Sequence, residues 1–108
     1  MSLTVKVIEP SGILDGIRGN ILRREVGDIL ESGADILLID LKDVKFIDSS
    51  GLGALVSAMQ MVRKANSKLF VCSVSDQVRM LFELTKMDRI FQTFIDQEDF
   101  ERQILAIQ

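Results

Sequence analysis

Histidine is absent from this 108-residue chain. With it go the Ser-His-Asp triad, imidazole acid–base catalysis and nearly all familiar zinc sites. Cysteine is nearly absent. The one cysteine, Cys72, permits no intrachain disulfide, and its place in Leu69-Phe70-Val71-Cys72 predicts a buried strand residue, not a reactive thiol. Long apolar runs are missing too: Ile36-Leu37-Leu38-Ile39 falls far short of the ~20 residues that span a bilayer. No secretory signal precedes Leu3, so the expected location is cytoplasmic. Basic charge is in short supply, with 13 Lys and Arg against 16 Asp and Glu and a net charge of −3. A nucleic-acid surface needs the opposite balance, so a protein partner is the better expectation.

Phosphate-cradling motifs are also lacking. Gly51-Leu52-Gly53 has no third glycine to complete a dinucleotide fingerprint, and no Gly-Lys-Ser/Thr follows it. Asp40, Asp43 and Asp48 do not make a metal site, because Asp40 falls at a strand end and Asp43 in a turn, where solvated carboxylates are routine. A Ser-Lys dyad with Lys45 is arithmetically available, but nothing in the spacing orients it. The chain is therefore expected to need no cofactor or metal and to be no enzyme.

What is present is an ordinary globular composition, 47% apolar and 27% charged, long enough for a single domain over 1–108. Leu3 to Ile8 alternates as a strand with at least one buried side, and Pro10-Ser11-Gly12 interrupts it. Ile13-Leu14 briefly resumes the extended chain. Asp15-Gly16 turns toward a helix starting near Ile17 or Gly19 and running to Glu31, with Ile21, Leu22, Val26, Ile29 and Leu30 as its buried stripe and Ser32-Gly33 as its end. Arg18, Arg23 and Arg24 read as a solvated face, available to an acidic partner if the sheet brings them beside Ser50.

Asp35 to Leu41 reads as a central parallel strand, and Lys42 to Ile47 as a short connection. A helix follows from Ser50 to about Ala65, on the spacing of Leu52, Leu55, Val56, Met59 and Val62. Lys68 to Val74 is a second buried strand. Ser75-Asp76 caps a third helix packed through Val78, Leu81 and Phe82, with Met80 beside them; Met59, Met61 and Met87 read as core filler and surface scatter. Phe91, Phe94 and Ile95 suggest a short last strand, and Gln97-Glu98-Asp99 opens a terminal helix carrying Phe100, Ile104 and Leu105. This alternation implies an α/β sandwich, a largely parallel four- to five-stranded sheet with about four helices joined by right-handed crossovers.

The stretch Asp48-Ser49-Ser50-Gly51-Leu52-Gly53 then lies at a strand's carboxyl end and a helix's start, where ligands and partners tend to bind. Ser49 or Ser50 is the expected N-cap. Free N–H groups and the aligned peptide dipoles make that end receptive to negative charge. Gly51 and Gly53 are poor helix formers, so something is expected to approach the backbone closely there.

Ser11-Gly12-Ile13-Leu14-Asp15, Ile36 to Leu41, Phe46 through Gly53, and Val74 through Phe82 together resemble the anti-sigma-factor antagonist branch of STAS domains. The resemblance implies a STAS-like fold and a regulatory protein that is a substrate, not a catalyst. It implies an anti-sigma factor serine kinase as partner and a PPM-type phosphatase that reverses the modification. The phosphoacceptor it implies is Ser50, with Ser49 the alternative. The expected partner-binding residues are Asp15, Asp48, Ser49, Ser50, Gly51, Leu52 and Gly53. A constitutive STAS scaffold or transporter-accessory module is the alternative reading, and the oligomeric state stays open. The chain departs from the family pattern in two places. The family's extra strand ahead of Leu3–Ile8 is expected to be missing, and Thr85-Lys86-Met87 stands where a glycine-containing turn is common.

Overall fold

The computed structural model describes residues 3–106. Strands β1 (Val5–Ile8), β3 (Ile36–Asp40), β5 (Lys68–Cys72) and β6 (Thr93–Phe94) form a parallel sheet in the order β1-β3-β5-β6. Strands β2 (Ser11–Leu14) and β4 (Asp43–Ile47) form a separate parallel pair. The helices are α1 (Gly16–Glu31), α2 (Ser49–Lys64), α3 (Asp76–Leu84) and α4 (Gln97–Phe100), the last running on into a π-helical turn over Glu101–Leu105.

Every residue of β3 is buried, as an unbroken Ile-Leu-Leu-Ile run requires of a strand covered on both faces. Its side chains alternate between two cores. Leu37 and Ile39, with Leu69 and Val71 of β5, meet Leu22 and Val26 of α1, Leu55 and Val62 of α2 and Phe82 of α3. Ile36 and Leu38, with Phe70 and Cys72, face a smaller cluster closed by Phe94 and Phe100. Cys72 is thus a buried strand residue.

Several elements differ from the sequence reading. Lys42 to Ile47 is no mere connection: Asp43–Ile47 is strand β4, with Val44 and Ile47 buried. A bulge disguises its alternation, since Gly12 pairs with Val44 and Ile13 with Phe46, leaving Lys45 as the extra residue. Asp43 accordingly begins a strand and does not sit in a turn.

Ile21 is exposed, although its spacing places it on the apolar stripe of α1. The helix buries Gly19, Leu22 and Val26 instead. A Cβ on Gly19 would lie 2.7 Å from that of Ala54, so α1 and α2 touch along the glycine line and Ile21 turns outward. Met80 and Ile95 are likewise exposed, and the last strand shrinks to Thr93–Phe94. Phe91 sits before it, stacked on Phe82 at 5.3 Å. Met59 is buried and Met61 and Met87 pack against the core.

Gly33 ends α1 at φ +89°, the left-handed conformation expected there. Lys86, in the turn where a glycine is common, takes φ +63° and retains the same backbone without glycine's freedom.

Candidate functional site

The carboxyl ends of β2 and β4 lie side by side, with Leu14 and Ile47 in register, and each strand hands over at once to a helix. Both helices are capped by aspartate. Asp15 accepts a hydrogen bond from the Arg18 N–H at 3.0 Å, and Asp48 from the Gly51 N–H at 2.8 Å. The cap of α2 is therefore Asp48, not Ser49 or Ser50 as the sequence suggests. Its extended backbone (φ −97°, ψ −177°) aims the carboxylate back at the first turn. Both serines are exposed in that first turn, and neither hydroxyl is spent on capping.

Gly51 answers the question of close approach. The Asp48 N–H donates to the Leu14 carbonyl at 3.3 Å, and a Cβ on Gly51 would fall 1.9 Å from that same oxygen. Only glycine lets the end of β2 lie against the start of α2. Gly53 differs: it is exposed, with open space where a side chain would stand. Leu52 is buried in the main core. Gly51 and Leu52, expected to touch a partner, thus face inward and shape the turn. Asp15, Asp48, Ser49, Ser50 and Gly53 remain at its surface.

The neighbouring helix distinguishes the two serines. A Cβ on Gly16 would sit 3.7 Å from the Ser50 Cβ, so Ser50 lies against the bare first turn of α1. Two helix N-termini flank it, and each contributes partial positive charge. Two arginines of α1 are engaged elsewhere: the Arg18 guanidinium lies over Gly12, and Arg23 bonds Asn20. Lys45 is exposed on β4.

Sequence reasoning missed Gln77. From the first turn of α3 its amide Nε2 donates to the Ile47 carbonyl at 3.0 Å, and its Oε1 accepts from the Ile47 N–H at 3.1 Å. It acts as a missing neighbouring strand would, satisfying the open edge of β4 one residue before Asp48. No local pattern reveals such a contact, because it joins residues 30 apart. Apolar surface borders the turn as well: the cross-strand pair Ile13 and Phe46 is 52% and 47% exposed, and Ile17 of α1 is exposed further.

Asp40 is not the solvated strand-end carboxylate that the sequence suggests. It is 2% exposed and accepts from the Lys42 N–H at 3.0 Å and the Gln97 amide at 2.8 Å. Burial works against its charge, but the hydrogen bonds from Gln97, Lys42 and Ser73 outweigh that and hold its pKa below the ordinary value. Among the described residues no group of three or more acidic or thiol side chains could hold a metal ion. Among them, too, no helix is long and apolar enough to cross a membrane.

The chain is similar in sequence and fold to known proteins. The anti-sigma-B factor antagonist of Bacillus subtilis (strain 168) is 36% identical over 80 residues, 74% of this chain and 72% of that protein. Two solved structures share the fold at lower identity. The cell fate determinant SpoIIAA of Bacillus in its phosphorylated form superposes with TM-score 0.71 at 19% identity, covering 94% of this chain and 92% of its own. A sulfate transporter family protein from Wolinella succinogenes does so with TM-score 0.82 at 17% identity, covering 96% and 88%. The sequence profile of the STAS domain spans residues 2–100, and with the fold and the Asp48–Gly53 turn in place, this chain belongs to the STAS domain family.

Proposed function

We propose that the chain is a phosphorylation-switched antagonist of an anti-sigma factor. It binds a serine kinase of that class through the Ser50 turn and is released once Ser50 carries phosphate. A PPM-type phosphatase resets it, and the exchange of partners controls sigma-factor-dependent transcription. The observation that carries this reading is the exposed Ser50, its hydroxyl free of capping and its Cβ set against Gly16 between two helix N-termini. The naming of the B. subtilis relative as an anti-sigma-B factor antagonist supports it.

The physics of the switch is local. Phosphate adds about −1.5 to −2 charges and three acceptor oxygens. Two helix N-termini stabilise that charge, so the fold stays intact and the effect falls on the docked partner. The partner loses a hydroxyl hydrogen bond of about 0.5–1.5 kcal/mol and meets like-charge repulsion of roughly several kcal/mol. At ~1.4 kcal/mol per decade the sum weakens binding by about a hundredfold or more.

Incubation with the cognate kinase and ATP, followed by peptide mass mapping, tests the proposal. Phosphate on Ser50, lost in Ser50→Ala, is expected, and Ser50→Asp should weaken kinase binding. Phosphate on neither Ser49 nor Ser50 would sink it. Equal kinase affinity for the wild type and Ser50→Asp would favour a constitutive docking module, a reading kept open by the fold shared with the transporter-family protein.

A further inference from the structure

Among the described residues strand β4 has a neighbour on one side only, β2. The Asp48 N–H turns to that side and reaches the Leu14 carbonyl, whereas the N–H and C=O of Ile47 meet the Gln77 amide, at 3.1 and 3.0 Å, on the side where no strand stands. Ile47 is 1% exposed, so neither group can be left to water. Among side chains only a primary amide carries a donor and an acceptor side by side, as this task requires. The footing of Gln77 is firm. Ser75 caps α3 by accepting from the Val78 N–H at 3.3 Å, and Val78 and Phe82 are buried in the main core. The strand that it holds is less regular: Lys45 bulges two residues before Ile47, and a bulge bends a strand and interrupts its ladder. Beyond Ile47 there is little room for error. Asp48 must set its carboxylate on the Gly51 N–H at 2.8 Å while a Cβ on Gly51 would fall 1.9 Å from the Leu14 carbonyl oxygen.

We infer that Gln77 is the positioning residue of the phosphoacceptor turn. Its amide fixes Ile47, Ile47 fixes Asp48, and the Asp48 cap fixes the first turn of α2, in which Ser50 is offered to the kinase. This role rests on the phosphorylation of Ser50 proposed above, and Gln77 acts in it through the backbone, without contact to the phosphate. The start of α3 thereby sets how well Ser50 serves as a substrate.

Gln77→Glu and Gln77→Ala test it. Glutamate has the same shape and suits the start of a helix, but as a carboxylate it only accepts and has nothing to donate to the Ile47 carbonyl. Ser75→Ala is the control, since it weakens α3 at its cap and leaves the Gln77 amide in place. Two readouts are taken under conditions where urea curves show every variant fully folded. One is the rate of Ser50 phosphorylation by the cognate kinase at subsaturating chain. The other is amide hydrogen exchange at Gly51, whose N–H is bonded to Asp48 and not to Gln77. Both Gln77 variants should be phosphorylated about tenfold more slowly and exchange Gly51 about tenfold faster, the worth of about one hydrogen bond, with Ser75→Ala at wild-type values in both. Gln77→Glu decides if Gln77→Ala does not fold. A residue that merely stabilises the fold moves the unfolding midpoint and neither readout. Unchanged Gly51 exchange in the Gln77 variants would overturn the clamp, and unchanged phosphorylation would overturn its part in presenting Ser50. Equal losses in Ser75→Ala would assign the effect to α3 as a whole and overturn both. A kinase that leaves wild-type Ser50 unmodified would sink the proposed function and with it the presenting role, while Gly51 exchange still judges the clamp.

Discussion

Two strand-to-helix turns stand side by side in this molecule, and they share everything except chemistry. β2 ends at Leu14 and passes through Asp15 into Gly16-Ile17; β4 ends at Ile47 and passes through Asp48 into Ser49-Ser50. Both aspartates are extended and both cap the third N–H of their helix. Cap and dipole are therefore common to the two turns. The difference lies in side chains: the first turn has a glycine where the second has hydroxyls, and the glycine stands against Ser50. On the proposed function, a helix N-terminus alone would not make this turn addressable; the oxygen at one turn and the absence of a side chain at its neighbour together would.

The largest expected effect breaks the contact between the turns. Gly51→Ala places a methyl 1.9 Å from the Leu14 carbonyl, a backbone atom that cannot rotate away. Destabilisation of roughly 3–5 kcal/mol or failure to fold is expected, read by urea denaturation. Tolerance of Ala there would mean that β2 and α2 do not meet as described.

A smaller effect belongs to the seam below. Gly19→Ala brings a Cβ within 2.7 Å of that of Ala54, a clash between α1 and α2 that the helices relieve only by shifting apart. A cost of about 1–3 kcal/mol is expected, partly offset by alanine's better helix propensity. Ala54→Gly in the same chain should recover about 1 kcal/mol or more as a coupling energy in a double-mutant cycle. Additive behaviour would show that the seam is looser than its geometry.

The caps test whether the two turns are equivalent. Asp15→Ala and Asp48→Ala should each cost about 1 kcal/mol and agree to within about 0.5 kcal/mol, whereas each Asp→Asn keeps most of its cap. Thermal unfolding of the four variants measures this. A marked excess for Asp48 would show that it holds more than the Gly51 N–H.

Much of the architecture was legible because burial dictated it. Ile36 to Ile39 and Leu69 to Cys72 can only be strands covered on both faces, and Gly33 can only end a helix. Strand β4 was hidden because Lys45 bulges out and breaks the period of two. Ile21 was misplaced because helix spacing gives a stripe but not its rotation, which here is set by the contact of Gly19 with Ala54. The turn at Asp48 was legible as a helix start, but which residue caps it depends on backbone angles that the string Asp-Ser-Ser does not encode. The recurrence of strand, aspartate and helix at Asp15 also passed unseen, since two apolar residues and an aspartate are too short to register as a repeat. Gln77 and the buried role of Asp40 were illegible for one reason: each depends on a partner far along the chain, Ile47 at 30 residues and Gln97 at 57.

The smallest effect on stability carries the sharpest discrimination. A Cβ on Gly16 would stand 3.7 Å from that of Ser50, ordinary van der Waals contact. Gly16→Ala should therefore leave the fold unharmed or stabilise it by about 0.5–1 kcal/mol through reduced freedom of the unfolded chain. The same methyl packs against the Ser50 Cβ and crowds the approach to that residue from the side of α1, so phosphorylation by the cognate kinase should slow while unfolding does not. Ser49 is not within 4 Å of a Cβ at Gly16 and serves as the internal control: any modification at that position should be untouched. If Gly16→Ala left phosphorylation of Ser50 at the wild-type rate, the glycine would be a mere helix start, and the two turns would differ only in their hydroxyls.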